Sequence, residues 1–288
     1  MLILKNGDIF MNRKNENEYG FNFETVVLRV KNIKKMKDFY LKLLKMDILK
    51  ENREKEKETV VLGVNKREII KLVSYGNENI KENNEINVYH VAYLLPSRKD
   101  LGNFLKNCIK ENIKIDGTGD HSVSEAIYLT DPEANGIEVY ADRDSNTWKW
   151  DRNYVIMGTT AVNIKELLEI SQEISEFKIP ENTKIGHIHM ETSDLEKEKN
   201  FYMEKFGMEI VSCIPGAYFV SINKYHHHFG INRWNSKRKI IKKENSTGIE
   251  EIYISVNREI YDKVFLESGK FEIKTPNGIK LIIHLNEK

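Results

Sequence analysis

The chain has 288 residues, and 40% of them are hydrophobic, which is enough to build packed cores in two domains of ordinary size. Lys and Arg number 45 against 44 Asp and Glu, so the formal charge of +1 gives no electrostatic basis for binding nucleic acid or a membrane surface. Apolar runs are too short to span a bilayer, and no signal-peptide core of adequate length precedes them, so a cytoplasmic location is expected.

An internal repeat organises the chain. The first 20 residues, rich in Lys and Asn, have no firm period and are interpreted as an N-terminal extension, with an extra edge strand as the alternative. The segment that starts at Thr25, TVVLRVKNIKKMKDFYLKLLKMDIL, then matches the segment that starts at His187, HIHMETSDLEKEKNFYMEKFGMEIV. Apolar residues at helical spacing predict one strand, one helix and a second strand in each, and Ser193-Asp194 is a suitable helix cap.

A second, weaker repeat divides the chain into four modules. Residues 89–94 resemble residues 250–255, and the Asn-Gly-Ile at 135–137 recurs at 277–279. Each module is predicted to run strand, helix, then two or three strands joined by turns. The predicted organisation is an extension at 1–20, a first domain of modules one and two at 21–143, a connector at 144–181 with a helix near 164–174, and a second domain of modules three and four at 182–288.

Equivalent positions of the four modules carry different chemistry. The first-strand position is a histidine in both middle modules, whereas the position after Gly-Ile in the last strand is a carboxylate only in module two. A lysine at that position in module four would repel a cation, so one functional and one inactive site are predicted. The first-strand residues are Thr25, His90, His187 and Glu251, and the last-strand residues of modules two to four are Glu138, Asn232 and Lys280.

The middle modules therefore offer a metal-ligand set of His90, Glu138 and His187. Two neutral imidazoles and one carboxylate on one face of a metal leave positions open and suit Fe(II) and oxygen chemistry, and Mn(II) or Zn(II) can also bind such a set. A lone histidine on a strand is usually a hydrogen-bonded core or surface residue. Its recurrence at symmetry-related positions favours metal binding.

Three consecutive histidines lie far from either terminus, at 226–228, so they are not a purification tag. They precede an apolar segment that ends at Asn232. Strict strand alternation counted back from Asn232 directs His228 and His226 to the inner face. The tryptophans at 148, 150 and 234 are interpreted as residues of the core or the connector, with the wall of an aromatic pocket as the alternative.

These strings resemble the vicinal oxygen chelate superfamily of glyoxalases, bleomycin-resistance proteins and extradiol dioxygenases. The resemblance covers nearly the whole chain and rests on GHIHMETSDLEKEKNFYMEKFGMEI and DHSVSEAIYLTDPEANGIEVYADR. VYHVAYLLPSRKDLG and YHHHFGINRW further resemble the bacterial catechol 2,3-dioxygenase-like branch. The resemblance implies an α+β fold in which four βαβββ modules pair into two open barrels.

The resemblance also implies roles for individual residues. His90, His187 and Glu138 match the family's two-histidine, one-glutamate iron ligands. Tyr128 falls where extradiol enzymes keep a tyrosine that hydrogen-bonds the bound substrate oxygen. The family's acid/base histidine corresponds to His227, and His228 is the alternative that strand alternation favours. His121 lies in a polar loop of the kind that surrounds the site in this family.

One departure concerns which modules hold the metal. The best-known extradiol enzymes take their ligands from modules three and four, whereas this chain would take them from modules two and three. His187 can join His90 and Glu138 only if modules two and three share a barrel or if subunits exchange modules. We expect the pairing within one chain, two with three and one with four.

The expected activity is extradiol cleavage of a small catechol-type aromatic by O₂, with Fe(II) as cofactor and His227 moving protons. One alternative is a glyoxalase-like lyase or isomerase, which usually needs a second carboxylate where this sequence has Asn232. The other is a binding protein of the bleomycin-resistance type, which would hold no stoichiometric metal. The assembly is left open between a monomer and a homodimer.

Overall fold

The computed structural model of the chain describes residues 20–172, 176–234, 236, 239–268 and 271–286. Apart from Gly20, the predicted N-terminal extension at 1–20 lies outside the described residues. In the described ranges, none of the helices combines the length and the apolar character needed to cross a membrane.

Modules two and three together form an eight-stranded sheet. In spatial order its strands are β13 (Glu209–Ile214), β14 (Ala217–Ser221), β15 (Phe229–Asn232), β12 (Lys184–Glu191), β6 (Val88–Leu95), β9 (Gly136–Asp142), β8 (Ser124–Thr130) and β7 (Gly117–Asp120). The first strands of the two modules, β6 and β12, are antiparallel neighbours at the centre of this sheet. The expected pairing of module two with module three within one chain is confirmed.

Modules one and four form a seven-stranded sheet of related plan. In spatial order its strands are β18 (Glu272–Lys274), β19 (Lys280–Leu285), β17 (Gly248–Val256), β1 (Phe21–Arg29), β4 (Arg67–Ser74), β3 (Lys57–Val64) and β2 (Asp47–Glu54). Both sheets are curved half-barrels with few helices outside them, so the predicted α+β fold of four paired modules is confirmed. Each sheet combines one module from each half of the chain, and the domain boundaries at 143 and 182 remain a prediction.

Helices and short strands complete the fold. Two short pairs join β10 (Trp150–Asp151) to β11 (Tyr154–Val155) and β5 (Glu85–Ile86) to β16 (Ile240–Ile241). The helices are α1 (Ile33–Leu44), α2 (Arg98–Lys110), α3 (Ile164–Glu169), α4 (Leu195–Phe206) and α5 (Arg258–Ser268). The connector helix is thus present but shorter than the predicted 164–174.

The start of α4 shows how local sequence sets these boundaries. The Asp194 carboxylate accepts a hydrogen bond from the backbone N–H of Lys197 at 3.1 Å, as predicted for the cap. The helix ends where Gly207 adopts φ +68°, a left-handed conformation that favours glycine. Tyr202 and Phe206 are fully or almost fully buried and fix the inner face of the helix against the sheet.

Strand alternation separates the core from the site. On β6, Val91, Tyr93 and Leu95 belong to the main hydrophobic core, whereas His90 and Ala92 point to the opposite face. Phe23 of β1 contacts Phe229 of β15 with ring centroids 5.1 Å apart, which joins the two sheets through one core. Burial of each such side chain contributes about 1.5–3 kcal/mol to folding.

Candidate metal centre

His90, Glu138 and His187 meet on the concave face of the eight-stranded sheet, with ligand atoms all within 4.8 Å of one another. The Nε2 atom of His90 lies 2.9 Å from Glu138 Oε2, and the Nε2 atom of His187 lies 3.3 Å from the same oxygen. Two ligand atoms at right angles around a metal, each at about 2.1 Å, would be about 3.0 Å apart. The spacing therefore fits a single metal ion.

The register of three adjacent strands brings these residues together. In the antiparallel ladder of β6 and β12, His187 is opposite Ala92 and His189 is opposite His90. In the parallel ladder of β6 and β9, Glu138 is opposite Ala92. The three side chains thus converge around the small Ala92, whose methyl group leaves room between them.

The donor set also fits a metal by its unsatisfied atoms. The three residues are 2–6% exposed, so they are shielded from bulk water. His90 Nε2 has no hydrogen-bond partner of acceptable geometry even though it lies close to Glu138, and His187 Nδ1 has none either. Buried polar groups are normally paired. A divalent cation bound through both Nε2 atoms and the carboxylate would satisfy His90 Nε2, whereas His187 Nδ1 would still need another partner.

Electrostatics keeps these groups in the form that binds a metal. Burial lowers the pKa of His187 to about 4 against the opposing effect of Glu138, so its imidazole is neutral near pH 7. Burial alone would raise the pKa of Glu138, but His187 and His90 hold that pKa well below its usual range. A neutral imidazole and an ionised carboxylate are the metal-binding forms.

The three residues lie in the wall of a cavity of about 740 Å³. Tyr128, His121, His189 and His227 also line it. Trp234 lines it as well and is 43% exposed, so this tryptophan follows the alternative of a pocket wall and is not a core residue. The cavity is large enough for a small aromatic molecule beside the three residues.

His227 stands directly against His187, with ring centroids 4.1 Å apart. Its Nδ1 lies 2.8 Å from Nδ1 of His226, and His226 Nε2 lies 2.8 Å from a carboxylate oxygen of Asp142. Because the carboxylate can only accept, His226 donates from Nε2 and, when neutral, accepts from His227 at Nδ1. His227 then keeps its proton on Nδ1 and its lone pair on Nε2.

Tyr128 and His121 form a second polar pair at the cavity wall. The Tyr128 hydroxyl lies 2.6 Å from His121 Nε2, and His121 Nδ1 lies 2.9 Å from the carbonyl oxygen of Gly158. The carbonyl requires a donor at Nδ1, so Nε2 of a neutral His121 accepts the proton of Tyr128. Burial, together with the charge of Glu138, raises the pKa of Tyr128 well above its usual value, so the phenol stays protonated.

His228 lies apart from the cavity, contrary to the alternation counted from Asn232. Its Nδ1 accepts hydrogen bonds from the Ser221 hydroxyl at 2.9 Å and the Ile222 N–H at 3.3 Å, and its ring contacts Phe21 with centroids 5.2 Å apart. Strand β15 begins only at Phe229, so the three histidines precede the strand and do not alternate. The inward assignment of His228 is therefore wrong.

Strand register also corrects the symmetry argument. In module two, Glu138 is opposite Ala92, which lies two residues after His90. In module three, the residue two positions after His187 is His189, and His189 is opposite Gly230. The counterpart of Glu138 in module three is thus Gly230, not Asn232. In module four, Tyr253 is opposite Ile282, so Ile282 and not Lys280 is the counterpart there. Matching the Gly-Ile pairs of the modules therefore misplaced both counterparts of Glu138 by two residues.

Two participants could not be found from local sequence. Asp142 follows Glu138 by four residues and is 84 residues from His226, so only the fold brings them together. His226 was visible as one of three histidines, but its contact with Asp142 was not. The one sequence signal for Asp142 was its position as a carboxylate at the end of β9, the strand that carries Glu138.

Comparison with known proteins identifies the family of this chain. Residues 22–139 and 184–279 match the Glyoxalase/Bleomycin resistance protein/Dioxygenase superfamily, and the chain belongs to this family. It is 37% identical over 266 residues to a protein named catechol-2,3-dioxygenase from Bacillus subtilis (strain 168), covering 86% of this chain and 92% of that protein. The predicted resemblance is confirmed.

Solved structures show the same fold at low sequence identity. Glyoxalase I from Zea mays superposes with a TM-score of 0.55 at 11% identity, covering 91% of this chain and 92% of that one. The cppA protein of Streptococcus pneumoniae TIGR4 gives a TM-score of 0.50 at 12% identity, covering 91% and 97%. At these identities the likeness supports the architecture alone.

Proposed function

We propose that this protein is an extradiol dioxygenase that cleaves the ring of a catechol-type substrate with O₂. The observation that carries the proposal is the buried His90, Glu138 and His187 group, which opens onto a cavity of about 740 Å³. The 37% identity to a protein named catechol-2,3-dioxygenase supports it. Both atoms of O₂ would enter the product, a ring-cleaved semialdehyde, so no external reductant is required.

Fe(II) is the proposed cofactor, with Mn(II) and Zn(II) as alternatives, held by Nε2 of both histidines and by the Glu138 carboxylate. When bound, such a metal would bring the two substrate oxygens and O₂ into proximity. The protein's own contribution is a buried ligand set that includes the ionised carboxylate of Glu138. The cavity walls also keep bulk water away from it.

His227 is the proposed acid and base. A catechol must lose a proton as it binds, and an oxygen of the cleaved ring must gain one. His227 lines the cavity beside His187, and its bond to His226 leaves Nε2 with a lone pair. Asp142 and His226 would act as positioning residues, because they fix the tautomer of His227.

Tyr128 would hydrogen-bond the substrate. The register of β8 and β9 sets Tyr128 opposite Glu138, so its phenol lies beside the proposed metal. Its own proton is directed to His121, and the phenolic oxygen is then left to accept from a substrate hydroxyl. The role proposed for His121 is to fix the direction of this phenol.

A glyoxalase-like reaction has weaker support. That chemistry usually requires a second carboxylate, and the counterpart of Glu138 in module three is Gly230, which has no side chain.

The experiment is anaerobic loading of the purified chain with Fe(II), followed by O₂ and a panel of catechols. We expect a yellow ring-cleaved product, about one O₂ consumed per substrate, and no product from a His90→Ala variant. The matched control is His284→Ala, which removes a histidine from the seven-stranded sheet and should keep full activity. No ring cleavage with any catechol tested on iron-replete protein would contradict the proposal.

A further inference from the structure

His189 is a cavity residue to which the reaction above assigns no role. It lies on β12 two residues after His187, on the same face of the strand, and is only 4% exposed. It lines the cavity, and its Nε2 atom is buried without a hydrogen-bond partner. Because burial of an unpaired imidazole nitrogen is unfavourable, this atom indicates a ligand.

Gly230 shows that the ring of His189 occupies a prepared space. The two residues are opposite each other in the parallel ladder of β12 and β15. A Cβ atom at position 230 would lie 2.8 Å from Cδ2 and 2.9 Å from Cγ of the His189 ring, which is too close for any side chain. The module-three counterpart of Glu138 is therefore absent, and an imidazole fills the space that a carboxylate would otherwise use.

The surroundings of His189 are aromatic. Tyr89, Trp234 and Phe219 have ring centroids 5.4, 5.3 and 5.8 Å from that of His189, at interplanar angles of 64–66°. His90 lies 4.9 Å away by the same measure. A flat, apolar ring would fit this wall, with the unpaired nitrogen as the polar group that orients it.

His189 is adjacent to the ligand group without belonging to it. The group whose ligand atoms lie within 4.8 Å of one another consists of His90, Glu138 and His187. A molecule that reaches both the metal and His189 must carry polar atoms next to its ring. An aromatic ring with neighbouring oxygen substituents meets this requirement.

We propose that His189 is a substrate-binding residue whose Nε2 hydrogen-bonds an oxygen of a vicinal dihydroxy aromatic. This inference rests on the proposed function, because it assumes that the substrate oxygens are held beside His90 and His187. It assigns substrate selection in part to Gly230, since only glycine leaves room for the His189 ring. A neutral imidazole suffices for the bond, since either tautomer can pair with a hydroxyl or its oxygen.

The test separates binding from turnover. Fe(II)-loaded protein is titrated without O₂ using 4-nitrocatechol, whose visible absorption changes on binding, and iron per chain is measured in parallel. We expect His189→Phe to keep one iron per chain but to raise Kd about 10-fold, the effect of one lost hydrogen bond. His189→Gln, which keeps a polar end, should recover part of the affinity, and the control His284→Phe should bind as the wild type does.

Each outcome has a defined meaning. An unchanged Kd for His189→Phe overturns the inference, and so does loss of its iron, which would make His189 a metal ligand. If His189→Phe fails to fold, Gly230→Ala, which must displace the His189 ring, should raise Kd in the same way, and an unchanged Kd overturns the inference.

If the Kd values of the variants differ from that of the wild type as expected but no ring is cleaved under O₂, the result supports the role of His189 and contradicts the proposed dioxygenase activity. Absence of 4-nitrocatechol binding to the iron-loaded wild type overturns both.

Discussion

The two large sheets have the same plan but different concave faces. In the eight-stranded sheet, His90 and His187 approach Glu138, and His90 Nε2 and His187 Nδ1 remain without hydrogen-bond partners. At the corresponding first-strand positions of the seven-stranded sheet lie Thr25 and Glu251. The difference shows that the fold supplies positions, and that the residue types there decide whether a sheet can bind a metal.

At these positions of the seven-stranded sheet, the polar side chains pair with neighbours in the same sheet. Lys280 forms an ion pair with Glu251 at 3.0 Å, and the Thr25 hydroxyl donates to the carbonyl oxygen of Glu68 at 3.2 Å. Among the described residues, His90, Glu138 and His187 are the one group of three side chains that could hold a metal ion. The contrast between a functional and an inactive site stays a prediction, and Lys280 forms an ion pair with Glu251 without being the counterpart of Glu138.

The largest expected effect comes from removing the carboxylate of the proposed metal centre, compared with removing a first-strand carboxylate of the seven-stranded sheet. Glu138→Ala should weaken Fe(II) binding by more than about 100-fold and abolish ring cleavage, because it removes a ligand and not merely a supporting contact. Glu251→Ala should change Fe(II) affinity and activity by less than about 2-fold. Metal titration and O₂ uptake measure both. Equal losses in the two variants would break the contrast between the sheets.

His227→Ala should lower kcat by about 10²–10⁴ while iron content stays at that of the wild type, because the variant loses proton transfer and keeps all three ligands. Single-turnover kinetics on iron-loaded protein measures the effect. Full activity in this variant would show that the acid/base assignment is mistaken.

A third prediction concerns the junction between the sheets. Glu198 on α4 accepts hydrogen bonds from Asn277 at 2.8 Å and from Tyr202 at 3.2 Å. Burial raises the pKa of Glu198 to about 8, so between pH 4.5 and 8 the folded chain holds a proton that the unfolded chain releases. The free energy of unfolding should therefore fall by up to about 5 kcal/mol as the pH rises through this window.

Denaturant titrations at several pH values test this linkage. Glu198→Gln cannot ionise and should flatten the pH dependence between 4.5 and 8, whereas Glu204→Gln, at an exposed position of the same helix, should leave it unchanged. An identical slope in wild type and Glu198→Gln would assign the proton to another group.

Asp142→Asn is expected to have the smallest effect, a decrease in kcat of about 10-fold, with unchanged iron content. The amide can donate as well as accept, so it no longer fixes the proton of His226 on Nε2 and the tautomer of His227 becomes mixed. The measurement is kcat against KM with one catechol. Asp144→Asn, in the loop that follows β9, is the control, and an equal loss there would argue against a positioning role.

The internal repeat explains which parts of the fold and of the candidate site could be predicted from the sequence. The strand–helix–strand order of the modules followed from periodicity, and recurrence at equivalent positions selected His90 and His187 as candidate ligands from the sequence alone. Pairing of modules two and three was predictable because only that pairing unites the three ligands. Counting from a Gly-Ile motif failed for Asn232 and Lys280, because equivalence is set by hydrogen-bond register and not by the motif.

The rest depends on contacts that are distant in sequence. The bond between His226 and Asp142 and the space above Gly230 exist only after β9, β12 and β15 are assembled. His228 was misassigned because alternation was applied to residues that precede the strand. Patterns of local sequence carry no information on where a strand begins to pair.

The most direct test is X-ray diffraction from a crystal of Fe(II)-loaded protein, with anomalous data at the iron edge. The account predicts one peak per chain, about 2.0–2.2 Å from Nε2 of His90, Nε2 of His187 and a carboxylate oxygen of Glu138. A peak in the seven-stranded sheet, or iron-replete protein with no peak at these three residues, would contradict it.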